Sequence, residues 1–409
     1  MPFPTILILL YLEICWWIIL RSVKQMTFPR IRPSLQIIAR ESGAIYIGNA
    51  HEGFELEADP YLPILRSCTG RSTISEIATN TSRRPADVES LLAQLSELGL
   101  IEFLTSPYIK GRSEYVRQAH ITGDLINQER EEIECRLISL RHGDGGESEW
   151  RSRASLSLMI TGDTRVARNL LPLLSASGFP QVSLLLEGNA SQQIEISDIN
   201  GLSVTTDDLG KNKVNHHRDL ARRSTVGSAH SKQNYAYRDS GYRDSGYRTS
   251  PHFIIATTMP RADEIQRWQS EGISHIALGD PIGSEIEIFP IITPGLGPCL
   301  QCIALHKADA LPQDLRAITY SRHLEKGPGE LPVGAAALLA ALLTSSVIDW
   351  AWRFTHNLSN ADEASNSCEE GNISRVINLL EPMAQPLERR WNFHPECGCV
   401  DVRRRASPR

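Results

Sequence analysis

Short apolar runs alternate with turn residues over the first part of the chain and then give way to helical spacing. Three β-rich runs, LQIIAR, AIYIG and GFELEAD, are separated by turns rich in Ser, Gly and Asn, which is typical of antiparallel strands. Helices are predicted over DPYLPILRSCTG and over STISEIATN, where Glu76 follows an N-capping Ser72 or Thr73. A third helix begins at Pro85 and carries an apolar stripe, and LIEFL then returns as a strand. The pattern predicts a winged-helix-like domain over residues 30–105.

From residue 153 onward the chain alternates between predicted strands and helices. The runs SLSLMITG, QVSLLLEG, HFIIATT and HIALGD are predicted strands, and TRVARNLLPLLSASG and ADEIQRWQSEG are predicted helices between them. Such alternation predicts a Rossmann-type α/β domain with a parallel sheet, here over residues 153–402. SEIEIFPII, NISRVINLLE and RRWNFHP are further predicted strands near its end.

One predicted helix of the second domain, PVGAAALLAALLTSSVIDWAW, is unusually apolar. With roughly 20 residues it is long enough to be taken for a membrane span. Its alanine richness, the hydroxyl residues Thr344, Ser345 and Ser346, and the charged Asp349 favour a buried or interface helix instead. We therefore expect it to lie in the core or at the contact of a homodimer.

Two polar stretches interrupt these domains. Residues 106–152 are rich in charged residues and are predicted to be a linker, and residues 205–250 include the tandem repeat YRDSG–YRDSG. Low complexity with duplication predicts a disordered insertion. Interleaved Arg and Tyr side chains can hold single-stranded nucleic acid. The Asp in each repeat leaves little net positive charge, so nucleic acid is rejected as a partner.

Composition narrows the class of protein. The chain has 409 residues, a net charge of -6 and a pI of about 6.1. This length predicts two or three domains, and the charge gives no general basic field for nucleic acid. Four of the eight cysteines are scattered without any pairing pattern. That usage is typical of a reducing compartment and not of a secreted disulfide framework.

The chain begins with an apolar segment, TILILLYLEICWWIIL at residues 5–20, which has Glu13 in its middle. As a helix it would span roughly 24 Å, which is shorter than the ~30 Å hydrocarbon core of a membrane. One interpretation is that residues 1–25 precede the true first residue, Met26. The other is that they anchor the protein in a membrane, in which case the basic residues that follow keep its body inside. Both interpretations predict a cytoplasmic protein.

Two close pairs of cysteines flank the C-terminal part of the chain, Cys299 with Cys302 and Cys397 with Cys399. Four soft ligands are the set that a structural zinc ion takes in a tetrahedral site. A disulfide or redox pair is the alternative, because a lone C-x-x-C can also be a redox dithiol. We predict one structural Zn²⁺ held by these four residues, with His394 as a reserve ligand if the short second pair is strained.

The flanks of the cysteine pairs resemble a known family. PGLGPCLQCIALHKAD and the terminal RRWNFHPECGC are similar to the bacteriocin-biosynthesis cyclodehydratase domain, which occurs in pathways to thiazole/oxazole-modified microcins. The matching positions are Gly297, Cys299, Leu300, Cys302, His306, Lys307, Asp309, Trp391, His394, Pro395, Cys397, Gly398 and Cys399. The α/β region resembles the ThiF/ubiquitin-activating-enzyme superfamily. The N-terminal unit resembles the precursor-peptide recognition domain of the same pathways.

This resemblance implies a protein that binds the leader segment of a precursor peptide. In such domains an extended peptide adds as a strand beside the third strand and packs against the third helix. The implied binding residues are Phe54, Glu55, Leu56, Glu57, Asp87 and Ser90, whereas Val88, Leu91 and Leu95 are expected to form the small core. A separate YcaO-type ATP-dependent enzyme would cyclise Cys, Ser or Thr side chains, because this chain has no YcaO region. A homodimer is a further expectation from the superfamily.

The resemblance also raises the question of nucleotide binding. A nucleotide turn needs Gly-x-Gly-x-x-Gly so that the backbone approaches the phosphates, but in Gly162–Ala167 only Gly162 remains. Thr164 stands at the close-approach position, and Glu187 ends the next strand, where it could hold a ribose hydroxyl. The Asp-x-Asp and Asn-Leu-x-Arg-Gln runs of adenylating relatives are missing. These three residues are therefore weak, vestigial candidates, and ATP is not expected to bind. The leading interpretation is a non-catalytic scaffold, and the alternative is a divergent adenylyltransferase that activates a carboxylate.

Overall fold

The computed structural model describes most of the two predicted domains. The described residues are 27–32, 35–40, 43–48, 53–104, 147–187, 191–224, 237–238, 251–310, 330–357 and 372–399. The chain divides into two compact units, Met1–Trp150 and Arg151–Arg409. The apolar segment at residues 5–20, most of the predicted linker and most of the YRDSG repeat lie outside the described residues, so the expectations for them stay predictions.

The first unit contains two small antiparallel sheets. Strand β1 (Phe28–Ile31) pairs with β5 (Ile101–Leu104), and β3 (Ala44–Gly48) lies between β2 (Gln36–Ala39) and β4 (Gly53–Glu57). The three runs that the sequence predicts as strands thus form one sheet, in which β2 and β4 are the edges.

Three helices follow this sheet along the chain, α1 (Ala58–Ser67), α2 (Ile74–Asn80) and α3 (Pro85–Glu97). The predicted capping of α2 is confirmed, because the Thr73 hydroxyl accepts a hydrogen bond from the Glu76 amide at 3.3 Å, and the Glu76 carboxylate accepts one from the Thr73 amide at 2.8 Å.

One apolar core lies inside this unit. It includes the buried residues Ile45, Ile47, Ile64, Ile77, Val88, Leu92 and Leu95. The core role predicted for Val88 and Leu95 is confirmed, since both are buried, and Leu91 packs against the same cluster from a partly buried position. The winged-helix arrangement itself stays a prediction.

A five-stranded parallel sheet forms the centre of the second unit. Its strands are β6 (Ser157–Thr161), β7 (Gln181–Glu187), β8 (Tyr237–Arg238), β9 (Phe253–Ala256) and β10 (Ser274–Ala277). They lie side by side in the order β10-β9-β6-β7-β8, so the chain reverses its direction of progress between β6 and β9. This is a doubly wound order, which confirms the predicted Rossmann-type sheet. Ligands of such sheets bind outside the carboxyl ends of the strands at this reversal.

Helices and a second sheet accompany the parallel sheet. The helices are α4 (Glu147–Ser155), which spans the division between the units, α5 (Arg165–Ala176), α6 (Lys213–Ser224), α7 (Ala262–Ser270), α8 (Leu300–Asp309) and α9 (Val333–Asn357). The second sheet is antiparallel and consists of β11 (Glu285–Ile288), β12 (Ile373–Asn378) and β13 (Leu387–Arg390), with β12 in the middle.

Two of these helices differ from the sequence prediction. Helix α4 begins inside the predicted linker, and α6 lies inside the stretch that was expected to be disordered. The very polar sequence of α6 carries Leu220 and Ala221, which are buried, and the helix packs against α5. The folded chain therefore continues to Ser224, and the predicted start of the insertion at residue 205 is too early.

The apolar helix α9 packs against α5. Its residues Leu339, Ala340, Leu343 and Val347 belong to the core that surrounds the parallel sheet. Within the described ranges, Val333–Phe354 is the one stretch that is long and apolar enough to cross a membrane by length and composition. The packing of its buried face favours the predicted core role.

Acid should destabilise the second unit through His275, which is completely buried in β10 and donates from Nδ1 to the carbonyl of Ile273 at 2.9 Å. Burial lowers the pKa of His275 to about 4. The unfolded chain takes up a proton near pH 6.5, so this stability is complete above ~6.5 and is lost as the pH falls toward ~4. Lowering the pH to about 5 should cost about 2 kcal/mol.

The measurement is the free energy of unfolding of the full chain at neutral and mildly acidic pH. His275→Asn keeps a donor for the Ile273 carbonyl but does not titrate, so this share of the pH dependence should disappear. An unchanged pH dependence in the variant would contradict the assignment.

Candidate functional sites

The antiparallel sheet brings the two cysteine pairs together. Strand β11 leads through a loop to Cys299, which is the N-cap of α8, and Cys302 lies in the first turn of that helix. Strand β13 leads to Cys397 and Cys399. Because β11 and β13 both pair with β12, segments about a hundred residues apart in sequence end at the same place.

The four sulfurs form a compact group. All Sγ atoms lie within 4.8 Å of one another. The measured separations are 3.9 Å between Cys299 and Cys302, 3.5 Å between Cys299 and Cys397, and 3.2 Å between Cys302 and Cys399. Tetrahedral zinc with Zn–S bonds of about 2.3 Å requires S–S distances of about 3.8 Å. The donor set and its spacing therefore fit a metal ion, and a structural Zn²⁺ is the ion that such a set prefers.

The ionisation of the cysteine thiols also favours a bound cation. Hydrogen bonds from the Cys299 and Cys399 thiols and from the backbone amide of His394 lower the pKa of Cys302. The hydrogen bond with Cys299 works to lower the pKa of Cys399, but the hydrogen bonds with Cys302 and Cys397 and burial outweigh it and raise that pKa to about 12. Thiolates this close repel one another, and a cation that binds them balances their charge. The helix α8, whose N-terminus faces the cluster, contributes a small positive potential.

His394 is engaged through both ring nitrogens. Its Nδ1 accepts a hydrogen bond from the Glu396 amide at 3.1 Å, and its Nε2 lies 2.9 Å from the Asp309 carboxylate. The proton is therefore on Nε2, which donates to Asp309. This arrangement ties the second cysteine pair to the end of α8, and it leaves no ring nitrogen for the reserve-ligand role that the sequence suggested.

A buried polar network holds α8 against the antiparallel sheet. Glu287 of β11 accepts from Lys307 of α8 and from the Ser374 hydroxyl, and Ser374 in turn accepts from the Trp391 indole at 2.8 Å. The Lys307 ammonium also lies 4.6 Å from the ring centre of Phe289. Sequence reasoning missed Glu287 and Ser374. Little in the sequence signalled them, because β11 (EIEI) and β12 (ISRVIN) carry other polar residues as well.

A crevice opens where the order of the parallel strands reverses. Thr164, Thr257, Thr258, Asp280 and Glu330 are among the residues that line it. The first residue after β6, Gly162, must be glycine. Its φ is +94°, and a Cβ there would lie 2.6 Å from the Thr257 hydroxyl oxygen. The Thr164 hydroxyl caps α5 by accepting from the Ala167 amide at 3.2 Å. Two of the three predicted cofactor residues, Gly162 and Thr164, therefore lie at the crevice.

The third predicted cofactor residue is Glu187. It ends β7, next to the strand that leads into the crevice. Its side chain lies outside the described part of the chain, so its role stays a prediction.

Charged side chains meet beneath the turn after β6. The Arg168 guanidinium, only 2% exposed, bonds Asp163 at 2.8 Å and Asp198 at 2.6 Å, and the Lys213 ammonium bonds the same two carboxylates at 2.9 and 3.0 Å. Burial works to raise the pKa of Asp163, but Arg168 and Lys213 outweigh it and lower the pKa below its usual range. Glu330 joins the group at 3.2 Å from Arg168. The signal in the sequence was Arg168 itself, a charge inside an apolar helix.

The residues predicted to bind a peptide lie on β4 and α3. Phe54 and Leu56 pack against the core, while Glu55 and Glu57 are exposed on the opposite face of β4. The Ala58 amide bonds the Gly43 carbonyl, and this bond fixes which residues of β4 are hydrogen-bonded to β3. Bonded and non-bonded residues alternate along an antiparallel pair, so the backbone N–H and C=O groups of Glu55 and Glu57 point away from β3, toward the open edge. No described strand pairs with this edge of β4, which can therefore accept another strand.

The helical half of the predicted peptide site is partly engaged within the unit. Asp87 receives two hydrogen bonds from Arg84, at 2.8 and 2.9 Å, and this pairing lowers the pKa of its carboxyl group. Ser90 is exposed on α3. A peptide role for either residue stays a prediction.

The doubly wound sheet and its crevice define a Rossmann-type α/β domain, and known structures of similar fold agree with this class. E. coli MccB with ATP has 14% identity and a TM-score of 0.54, with 92% of this chain and 100% of that chain covered. The microcin C7 biosynthetic enzyme MccB in complex with N-formylated MccA has 13% identity and a TM-score of 0.54, covering 91% and 99%. PaaA has 17% identity and a TM-score of 0.52, covering 88% and 99%.

No protein-family model and no curated protein matches the sequence. At the identities found among the solved structures, the likeness shows the fold alone, a mixed α/β fold with a parallel sheet similar to that of MccB. The particular chemistry must be argued from the site.

The donors at the turn after β6 are engaged within the chain. The Arg165 amide, a free donor in a phosphate-binding helix end, bonds the Glu330 carboxylate at 3.0 Å. The basic residues beneath it are paired with Asp163 and Asp198.

We expect one zinc ion per chain and its loss in Cys302→Ser, because a serine oxygen replaces a soft ligand in a four-sulfur set. Elemental analysis of freshly purified, reduced protein measures the metal. Thermal unfolding should show selective destabilisation of the second unit, since metal binding is coupled to folding.

Cys68→Ser is the matched control for this experiment. Cys68 is a buried thiol of the first unit, and burial raises its pKa to about 12. That variant should keep its zinc. Wild-type protein without zinc, or Cys302→Ser with a full complement, would contradict the assignment.

Proposed function

We propose that the protein binds the leader segment of a ribosomally made precursor peptide and presents that peptide to a separate enzyme. By the resemblance of its cysteine motifs, the partner is a YcaO-type ATP-dependent cyclodehydratase that forms azolines from Cys, Ser or Thr residues. The protein itself performs no ATP chemistry in this proposal. Its zinc stabilises the second unit, and its body acts in the cytoplasm.

One observation carries the non-catalytic part of the proposal. The Glu330 carboxylate binds the first amide of α5 and Arg168, the donors that a nucleotide phosphate would need. Asp163 adds a second negative charge at the same turn. An enzyme that adenylates a carboxylate must hold three phosphates near such donors, so this constellation favours a scaffold over a catalyst.

The alternative is a divergent adenylyltransferase. It is favoured by the fold, because one of the similar structures is MccB with ATP. Gly162 and Glu187 would then hold the nucleotide. The two functions differ in whether the isolated chain binds ATP.

Peptide binding draws support from two directions. A similar structure contains MccB together with a peptide, MccA, and β4 presents an open edge with outward backbone groups. Strand addition uses such an edge, with main-chain hydrogen bonds for affinity and side-chain pockets for specificity.

Helix α9, which exposes Trp352 and Leu342, is the surface we propose for a homodimer.

The isolated chain should neither bind Mg–ATP nor catalyse ATP–pyrophosphate exchange, because its phosphate donors are engaged by carboxylates. Calorimetry and an exchange assay measure the two properties. Adding the YcaO partner and the precursor should start cyclisation, seen by mass spectrometry as loss of water. ATP–pyrophosphate exchange catalysed by the chain alone would contradict the scaffold proposal and support the adenylyltransferase.

Glu55→Pro should weaken leader binding while leaving the fold intact. It removes an outward N–H from the edge strand and no bond to β3, which is the position in a sheet where proline is tolerated. Binding of a fluorescent leader segment of a candidate precursor peptide is measured by anisotropy. We expect at least a tenfold loss of affinity, since about 1.4 kcal/mol of main-chain bonding disappears.

Two control variants separate the explanations. Glu55→Ala keeps the N–H and should bind normally, which isolates the backbone from the side chain. Ala39→Pro removes the equivalent outward N–H on the other edge strand, β2, and should also bind normally. Loss of binding in Ala39→Pro but not in Glu55→Pro would move the peptide to β2 and refute the assignment to β4.

A further inference from the structure

Helix α5 begins with a backbone amide that is bound by a side chain from far along the sequence. The Arg165 amide donates to Oε2 of Glu330 at 3.0 Å, and the two residues are 165 positions apart. The other carboxylate oxygen, Oε1, accepts from Nη1 of Arg168 at 3.2 Å. Glu330 thus uses both oxygens on one helix-end amide and one guanidinium, which is how proteins hold a free oxyanion.

The Arg168 guanidinium beneath this carboxylate is held in one orientation by its other partners. Arg168 is 2% exposed, and its Nη2 is already shared between Asp163 and Asp198. Its Nη1 therefore faces the crevice and requires an acceptor there. Glu330 meets that requirement from a position that is only partly buried, with 28% of its side chain exposed.

The segment that carries Glu330 is fixed from the other side as well. The Arg165 side chain donates to the Leu331 carbonyl at 2.9 Å and to the Ile199 carbonyl at 3.3 Å. Leu331 packs against the apolar core, and α9 begins two residues later. The chain therefore enters α9 directly across the crevice at the reversal of the sheet.

We propose that Glu330 is an internal ligand in an oxyanion site. Its carboxylate takes the place at the start of α5 that a phosphate takes in a nucleotide-binding sheet of this order, and the protein thereby occupies its own oxyanion site. The site keeps its affinity for oxyanions, and it becomes accessible to a small external one only when this carboxylate is removed. The inference concerns the second unit alone and is independent of leader binding.

Chemical rescue tests this proposal. Glu330→Ala deletes the carboxylate and leaves a space of its size, and the melting temperature of the full chain should fall by at least about 2–4 °C. An excess of sodium acetate, compared with sodium chloride at the same ionic strength, should restore most of that loss. Acetate is the probe because it has the chemistry of the missing group.

Two further variants keep the outcome unambiguous. Glu330→Gln fills the space with an amide, so it should lose stability without being rescued by acetate. Asp280→Ala removes another acid that lines the same crevice and is exposed, with no hydrogen bond to α5 among the described residues, so it should show neither effect.

Three results would overturn the proposal. They are an unchanged melting temperature in Glu330→Ala, no response of that variant to acetate, and an equal response of the wild type. If Glu330→Ala fails to fold in chloride, folding in acetate supports the proposal and failure in both salts refutes it. The ATP measurements on the wild type decide the proposed function separately, since acetate rescue requires no nucleotide.

Discussion

The crowding of four cysteine sulfurs at one point is the constraint on which the C-terminal part of the fold depends. All four Sγ atoms lie within 4.8 Å of one another, a spacing at which one cation can bind all of them and balance their charge. Every residue of β13 is exposed, so hydrophobic burial contributes little to holding that strand. Its pairing with β12 and the polar contacts of His394 and Glu287 set its position, and a metal ion bound by the four cysteines would add to them.

The crevice of the same unit lies over a second group of interacting charges. Arg168, Lys213, Asp163 and Asp198 are each held by partners of opposite sign, and Glu330 completes the group. Buried charges of this kind are tolerated only while every partner is present, because a single deletion leaves an uncompensated ion. The network thus specifies one arrangement of α5, α6 and the start of α9. It does so with the donors that nucleotide chemistry would require.

The sequence predicts features that depend on neighbouring residues better than features that depend on residues far apart in the chain. Local signals predicted the elements well: the Thr73–Glu76 cap, the alternating strands and helices, and the cysteine pairs with their flanks. Signals that depend on pairing over long distances were missed. Helix α6 looked like part of a polar insertion because its few apolar residues matter only against α5. Glu330 gave no local sign of its role, since its partners are 162 and 165 residues away.

A likeness to a structure with ATP and a turn whose donors hold a carboxylate are compatible, because the fold and the chemistry of the site are separate properties. A doubly wound sheet creates a crevice at its reversal whatever the residues there are, because the crevice follows from strand order. Phosphate binding needs more, namely backbone amides and cations without other partners. In this chain the first amide of α5 and its arginine already hold a carboxylate. The crevice therefore has the geometry of its fold class, while its donors are engaged by a carboxylate of the same chain.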